Sequence, residues 1–135
     1  MKNKIQTSFD RHTMMETFGA TLDDVAAGHV TISAPILPGS RQQQGLAHAA
    51  LTFGLGDTAA GYAALTSMPD DTEVVTAEIK INLTAPAIGD RLIAKGRVIK
   101  PGRRLIVVAA DVYALQNSTE TLVAVMQGTM VPVRS

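Results

Sequence analysis

The chain has 135 residues, with 12 Lys plus Arg balanced by 12 Asp plus Glu, 46% apolar residues and 18% charged residues. The zero net charge argues against a nucleic-acid binder that depends on a basic surface, and the apolar content argues against a disordered chain. The chain has no cysteine, so it can build neither a disulfide framework nor a zinc–thiolate site. Its length suits a single domain over residues 1–135.

No segment has the pattern of an export signal or a membrane span. The lysines near the start are not followed by an apolar run, and no stretch of 18 uninterrupted apolar residues occurs. We therefore expect a cytoplasmic protein whose partners include neither a membrane nor nucleic acid.

The first third of the chain predicts a helix and a hairpin. Apolar residues at helical spacing over residues 9–18 indicate a short N-terminal helix that ends at Gly19. Alternating apolar residues within residues 25–36 indicate a strand, which can form a hairpin with residues 20–27.

Residues 46–66 predict a long helix of unusual composition. The segment has no Lys, Arg or Glu, and its ionisable groups are His48, Asp57 and Tyr62. A helix that is apolar on all sides must be surrounded by protein or lipid. Its many Gly and Ala residues favour close approach of other backbone, so we expect this helix at the centre of the fold.

Four strands are predicted after this helix, over residues 75–83, 92–100, 105–115 and 122–133. In the first of them, apolar residues from Val75 to Leu83 alternate with polar ones, which places Thr76 on the side away from the apolar set. The short connections favour antiparallel neighbours in a meander. The predicted fold class is therefore α+β, with an antiparallel sheet wrapped around the central helix.

Asp57 is the one acidic residue of the predicted central helix. An ionised carboxylate in apolar surroundings is costly unless it is paired, solvated or neutralised. Two interpretations stay open. Asp57 either caps a helix that restarts after Gly56 by accepting from backbone N–H groups, or it lines a cleft and acts as a base or nucleophile.

The start of the same helix is a second candidate feature. A helix N-terminus presents unpaired N–H groups and the positive end of the helix dipole, which suit a carbonyl oxygen that gains negative charge. Asp57 lies about 12 Å further along the helix at ~1.5 Å per residue, too far for one site within one chain. If a symmetric dimer packs two such helices antiparallel, the helix start of one chain comes near the partner's Asp57.

His48 and Gln42 lie at or before this helix start. His48 is too far from Asp57 along one helix for contact, so a Ser-His-Asp relay is not supported and a hydrogen-bonded structural role is favoured. Gln42 begins a polar run that is either a solvated loop or the source of an amide that orients a water or a substrate carbonyl.

Three cations flank a Pro-Gly turn, namely Lys100, Arg103 and Arg104. They are either solvated turn charges or a small cationic patch for phosphate groups. No group of His, Asp and Glu has metal-ligand spacing, so we expect no metal.

Residues 42–57, with the sequence QQQGLAHAALTFGLGD, resemble the N/Q-x-x-G-x-x-H-G-G-x(6)-D pattern of hotdog-fold acyl-CoA thioesterases. The similarity is strongest to the phenylacetic-acid-degradation branch, and it extends to residues 75–90 and 98–104. The resemblance implies a sheet around a central helix and hydrolysis of an acyl-CoA to free acid and CoA. It implies no separate cofactor, because coenzyme A is part of the substrate.

The resemblance also implies roles for individual residues. Asp57 matches the family's catalytic carboxylate, and Gln42 matches its amide. Ala49 stands at the first Gly of the H-G-G motif, whose backbone N–H polarises the thioester carbonyl, and His48 stands at the motif's histidine. Thr76 matches a hydroxyl position that in some members helps to place the attacking water. The cationic turn would contact CoA phosphates.

Departures from the pattern motivate a second hypothesis. Ala49-Ala50 replaces Gly-Gly, which keeps a backbone donor but adds two methyl groups, and Gly61 stands where a related branch has Thr. The alternative is a non-catalytic acyl-CoA-binding module of the same fold. A hotdog dehydratase ranks last, because no His follows Asp57 in the chain. The resemblance further implies a homodimer that forms the site, and a homotetramer.

Overall fold

A computed structural model describes residues 1–134 of the protein. The helices are α1 (Lys2–Asp10), α2 (Thr13–Phe18) and α3 (Ala49–Leu65), and the strands are β1 (Thr21–Ala26), β2 (His29–Pro35), β3 (Thr72–Leu83), β4 (Arg91–Lys100), β5 (Ile106–Gln116) and β6 (Thr119–Arg134). All six strands form one antiparallel sheet in the order β1-β2-β4-β5-β6-β3. The sheet wraps around α3, which confirms the predicted α+β hotdog fold.

The N-terminal helix is present, but its predicted bounds of 9–18 are wrong. The chain forms two helices, α1 and α2, which are separated at Arg11 and His12, and α2 ends at Gly19 in the left-handed conformation with φ of 70°. Only Ile5 and Phe9 of α1 are buried. Two apolar residues one turn apart are too weak a pattern to predict a helix, and docking of α1 onto the rest of the fold stabilises it.

The hairpin predicted over residues 20–36 is found as β1 and β2. Gly28 occupies the turn with φ of 74°, in the left-handed region that glycine adopts without steric cost. The alternating residues of β2 face the core, where Val30, Ile32 and Ala34 are almost fully buried.

The long helix α3 begins three residues later than predicted. His48 is its N-cap, and the His48 Nδ1 accepts a hydrogen bond of 2.9 Å from the N–H of Ala50. Most of α3 is buried by the sheet, as expected from its composition. The expectation that it is enclosed on all sides is wrong for this chain, because Ala50 is exposed and Asp57 is only half-buried.

The backbone of α3 lies directly against β4 at Gly96. A Cβ atom at this glycine would lie 2.4 Å from both the carbonyl carbon and the carbonyl oxygen of Ala59. Non-bonded heavy atoms do not approach so closely, so only glycine permits this helix-to-sheet distance. The close approach sets the depth at which α3 sits in the concave side of the sheet.

The four later strands are confirmed, but the meander is wrong at its first connection. Strand β3 pairs with β6 at the edge of the sheet, whereas β4 pairs with β2 and β5. The connection over residues 84–90 crosses three strand spacings, about 14 Å at ~4.8 Å each. Seven extended residues can span roughly 23 Å, so a connection this short does not require neighbouring strands.

Candidate active site

Asp57 lies in the middle of α3, half-buried, at the mouth of a cleft. One carboxylate oxygen, Oδ1, accepts a hydrogen bond of 2.6 Å from the Thr76 hydroxyl. Within residues 1–134, its second oxygen has no hydrogen-bond partner, and no backbone N–H donates to either oxygen. The helix continues unbroken through this position, so the cap interpretation of Asp57 is wrong.

A β-bulge brings Thr76 to Asp57. The pairing register between β3 and β6 shifts between Thr76 and Glu78, so one extra residue sits in β3. Because side chains alternate along a strand, the extra residue reverses which set faces α3. Before the bulge, Val74 and Thr76 face the helix, and after it Ile79 packs against the core.

The alternation predicted for this strand, with Val75 facing the core and Thr76 facing away, is therefore wrong for the residues before the bulge. Val75 is 51% exposed, and Thr76, expected to face away, points at the carboxylate. The Thr76 hydroxyl also lies 3.4 Å from the Met130 sulfur, so it is held between β6 and α3.

The cleft beside Asp57 has a volume of about 470 Å³. Its apolar wall comes from the end of α3 and from β3 and β6, through Leu65, Val74 and Met130. The lining also includes polar residues: Ser8 from α1, Arg11 and His12 from the link between α1 and α2, Tyr62 from α3 and Glu73 from β3. The cleft is large enough for part of a small-molecule substrate.

The most deeply placed polar group of this cleft is the Tyr62 phenol. Tyr62 is 7% exposed, and burial raises the pKa of its phenol above the usual value, a shift that a hydrogen bond with Ser8 opposes and the nearby Glu73 carboxylate increases. The phenol is therefore neutral at physiological pH and can both donate and accept hydrogen bonds.

The start of α3 lies in a separate cleft of about 650 Å³. The residues there include Gln42 from the loop before α3, His48 and Ala49 at the helix start, and residues 83–87 at the end of β3 and in the connection that follows. Among the described residues, the backbone N–H of Ala49 has no acceptor, whereas the N–H of Ala50 is capped by His48.

The Gln42 side chain is engaged within its own loop. Its carbonyl oxygen accepts from the N–H groups of Gln44 and Leu46, and its amide nitrogen donates to the Gln44 side chain at 3.0 Å. The amide nitrogen carries a second hydrogen that can serve another acceptor. His48 makes the structural hydrogen bond that its position favours, as the helix cap.

One chain thus divides the predicted site residues between two clefts. Asp57 and Thr76 lie together in the first, and Gln42, His48 and Ala49 lie together in the second. The two ends of this segment of α3 are about 12 Å apart at ~1.5 Å per residue. The structure does not bring the carboxylate and the free helix N–H together within one protomer.

The three cations Lys100, Arg103 and Arg104 are exposed around the end of β4 and the turn that follows it. Arg103 also lines a groove of about 600 Å³, whose other walls include Met68, Pro69 and Pro132. In the part of the chain that the structure describes, none of the three cations forms a salt bridge.

Sequence reasoning missed the wall of the first cleft that α1 builds. The sequence patterns assigned no role to Ser8, Arg11 or His12, all of which line this cleft. The signal available was weak, because these residues lie in or next to a helix whose pattern was incomplete.

Across residues 1–134, no three His, Asp or Glu side chains are grouped closely enough to hold a metal ion. None of the helices described is both long and apolar enough to cross a membrane.

The sheet wrapped around a central helix places the chain among α+β hotdog proteins. The carboxylate of that helix, at an open cleft, is the candidate site. The family model of the thioesterase superfamily matches residues 44–121, and the chain belongs to this superfamily. A comparison with curated protein sequences found no match.

Solved structures agree with this assignment. A thioesterase family protein from Silicibacter pomeroyi is similar with a TM-score of 0.96 and 35% identity, over 99% of this chain and 98% of that protein. The PaaI protein from the phenylacetic acid degradation operon of E. coli has a TM-score of 0.86 at 18% identity, over 97% and 91% of the two chains. A Bacillus halodurans protein determined with CoA has a TM-score of 0.79 at 22% identity, over 97% and 84%. The last two similarities concern the fold alone.

Proposed function

We propose that the protein hydrolyses an acyl-CoA thioester to the free acid and CoA, in a site shared by two subunits. The observation that carries this proposal is the state of Asp57, which has one oxygen held by Thr76 and the other without a partner in the described chain, beside an open cleft. Membership of the thioesterase superfamily supports the reaction class, and the fold similarity to a protein determined with CoA supports the substrate class.

In the proposed reaction, Asp57 of one chain accepts a proton from a water whose oxygen attacks the thioester carbon. The oxyanion of the tetrahedral intermediate accepts a hydrogen bond from the free N–H of the partner's Ala49, at the positive end of the helix dipole. The carbon–sulfur bond then breaks and CoA leaves as a thiolate. Direct attack by Asp57, followed by hydrolysis of the mixed anhydride, is the alternative route of this proposal and uses the same groups.

In the proposed dimer, the Asp57 cleft of one chain adjoins the helix-start cleft of its partner. A two-fold axis that sets two α3 helices antiparallel brings the helix start of one chain to the carboxylate of the other. We place the contact at β3, because β3 is a sheet edge and its residues Val75 and Leu83 are 51% and 58% exposed. An unpaired strand edge readily pairs with another chain. The partner's Gln42 then contributes its second amide hydrogen to the substrate carbonyl.

The remaining features belong to the same proposal. Lys100, Arg103 and Arg104 contact the phosphates of CoA, since all three are exposed and free of salt bridges within residues 1–134. The pattern of residues 42–57 favours the phenylacetic-acid-degradation branch and, by resemblance, a homotetramer. The cytoplasmic location expected from the sequence is part of this proposal. No cofactor takes part.

A non-catalytic acyl-CoA-binding module is the second candidate function. Two observations favour it: the methyl groups of Ala49 and Ala50 at the helix start, and the engagement of Gln42 in its own loop. Such a module would bind CoA esters saturably and release no thiol.

The deciding experiment compares wild type with Asp57→Asn on a panel of acyl-CoA esters, with release of the CoA thiol as the readout. We expect wild type to be active and the variant to lose about 10²- to 10⁴-fold in kcat, the usual contribution of a general base. Asp24→Asn is the matched control, because Asp24 is an exposed acid on β1 outside both clefts. Equal turnover by wild type and Asp57→Asn contradicts the catalytic role, and saturable binding without thiol release by wild type supports the binding module.

A further inference from the structure

Three polar side chains form a connected cluster on the wall of the first cleft, away from the carboxylate. The Ser8 hydroxyl lies 3.1 Å from the Tyr62 hydroxyl, and the Tyr62 hydroxyl lies 3.5 Å from Nδ1 of His12. All three residues line the same cleft as Asp57. The proposed hydrolysis gives none of them a task.

The contacts within this cluster leave some of its hydrogen-bond donors and acceptors unused. A serine hydroxyl, a tyrosine hydroxyl and a neutral imidazole together carry three donor hydrogens. The two contacts within the cluster use two of them, so one donor remains, and within residues 1–134 the second ring nitrogen of His12 has no partner. A polar group of a ligand that reaches this wall can therefore be bound without breaking the cluster.

The distance from the carboxylate suits the far end of an acyl group. Tyr62 follows Asp57 by five positions, about 7.5 Å along the axis of α3 at ~1.5 Å per residue. The bonds of an extended chain zigzag, so roughly six carbon–carbon bonds of about 1.5 Å each are needed to cover that span. Between the two ends the wall is apolar, with Val74 and Met130, and suits methylene groups.

Charge decides which polar end is accepted. The cleft is lined by two carboxylates, Asp57 and Glu73, and by one guanidinium, that of the exposed Arg11. The formal charge of the lining is therefore negative, and a carboxylate at the end of the acyl group is repelled. A neutral group that donates and accepts hydrogen bonds, such as a hydroxyl, meets no such cost.

From this arrangement we propose that Ser8, His12 and Tyr62 determine acyl specificity and select an acyl group with a neutral hydrogen-bonding end. The inference rests on the proposed function, because it assigns the cleft beside Asp57 to the acyl part of the substrate. Ser8 lies on α1 and His12 lies between α1 and α2, so the N-terminal segment becomes part of the specificity pocket.

The test compares three CoA esters of equal chain length: hexanoyl-CoA, 6-hydroxyhexanoyl-CoA and adipoyl-CoA. For wild type we expect kcat/KM to be about tenfold higher for the hydroxy ester than for hexanoyl-CoA, as one net hydrogen bond of roughly 1.4 kcal/mol provides, and lowest for adipoyl-CoA. In Tyr62→Phe and His12→Leu, kcat/KM for the hydroxy ester should fall about tenfold relative to that for hexanoyl-CoA, so that the preference disappears.

Tyr113→Phe is the matched control, because Tyr113 is the second tyrosine of the chain and lies on β5 outside the cleft. Ser8→Ala, which removes only one member of the cluster, keeps the comparison possible if Tyr62→Phe does not fold. A wild type that treats hexanoyl and 6-hydroxyhexanoyl esters alike overturns the inference. Equal loss on both esters in Tyr62→Phe also overturns it, since the cluster would then only dock α1 onto α3.

Failure of the proposed hydrolysis gives a different result from failure of this inference. If no ester is hydrolysed, the proposed function fails, and the dissociation constants of the same three esters, measured by calorimetry, replace kcat/KM. If wild type binds the hydroxy ester with a roughly tenfold lower dissociation constant than hexanoyl-CoA, and this difference disappears in Tyr62→Phe, the specificity pocket is still supported. Equal dissociation constants for the hydroxy and hexanoyl esters overturn it.

Discussion

At the scale of single residues, the chemistry depends on how one carboxylate is held. The Thr76 hydroxyl donates to one oxygen of Asp57 at 2.6 Å, and the other oxygen has no partner within residues 1–134, on a side chain that lines the cleft. A hydrogen bond to a charged acceptor is worth about 1.5–3 kcal/mol, so this contact fixes the rotation of the carboxylate. In the proposed mechanism, Thr76 positions the base and does not itself take the proton.

Replacing Thr76 by Val keeps the shape of the side chain and removes the donor. We expect kcat/KM for a hydrolysed acyl-CoA to fall roughly tenfold or more, because the carboxylate loses its fixed orientation. Thr76→Ser should retain most of the activity. Thr129→Val is the control, since Thr129 lies on β6 and donates to the exposed Glu78 instead. An identical effect of Thr76→Val and Thr129→Val would remove Thr76 from the site.

At the scale of elements, the position of Asp57 depends on the contact between α3 and β4. The many small residues of α3 suggested close approach by other backbone, but the glycine that permits it lies on the strand. A Cβ at Gly96 would meet the carbonyl carbon and oxygen of Ala59 at 2.4 Å, and the backbone cannot move away without shifting the whole helix.

Gly96→Ala should therefore lower the free energy of unfolding by about 3 kcal/mol, in the upper range for an overpacked core. Thermal or denaturant unfolding measures the change. Gly39→Ala is the control, because a Cβ at Gly39 has no atom within 4 Å, and its stability should stay within about 0.5 kcal/mol of wild type. A Gly96→Ala variant as stable as Gly39→Ala would contradict the direct backbone contact.

At the scale of the whole molecule, the proposed site is complete only across two chains. The free N–H of Ala49 can be deleted cleanly, because proline is well tolerated at the first position of a helix. His48, which would precede the proline, has φ of −66° and ψ of 144°, the extended conformation that a residue before proline prefers. Ala49→Pro thus removes one donor and leaves α3 intact.

Mixing Ala49→Pro with Asp57→Asn tests the shared site. Each variant alone should be inactive, while a mixed dimer contains one site with both an intact Asp57 and an intact Ala49. With random pairing at equal amounts, half of the dimers are mixed and half of their sites are intact, so about a quarter of the wild-type rate should return. The rate of thiol release after unfolding and refolding the mixture measures this recovery. No recovery would mean that one chain builds the whole site.

The sequence by itself determined the features that local periodicity encodes. The long run of apolar residues without Lys, Arg or Glu predicted α3, and the alternating segments predicted the strands. The lone acid in that run drew attention to Asp57 before any contact was known. The fold class follows from these patterns, because a helix so apolar must be covered by the sheet.

Only the tertiary structure decided the rest. The bulge in β3 that turns Thr76 toward Asp57, the pairing of β3 with β6, and the docking of α1 beside Tyr62 all arise from contacts between residues far apart in the chain. A single extra residue in one strand reverses the side on which every later residue lies. The position of that residue depends on pairing with the partner strand, so the local sequence pattern does not predict it. For that physical reason the local pattern could identify the acid, whereas it could predict neither that Thr76 faces Asp57 nor that α1 forms part of the cleft wall.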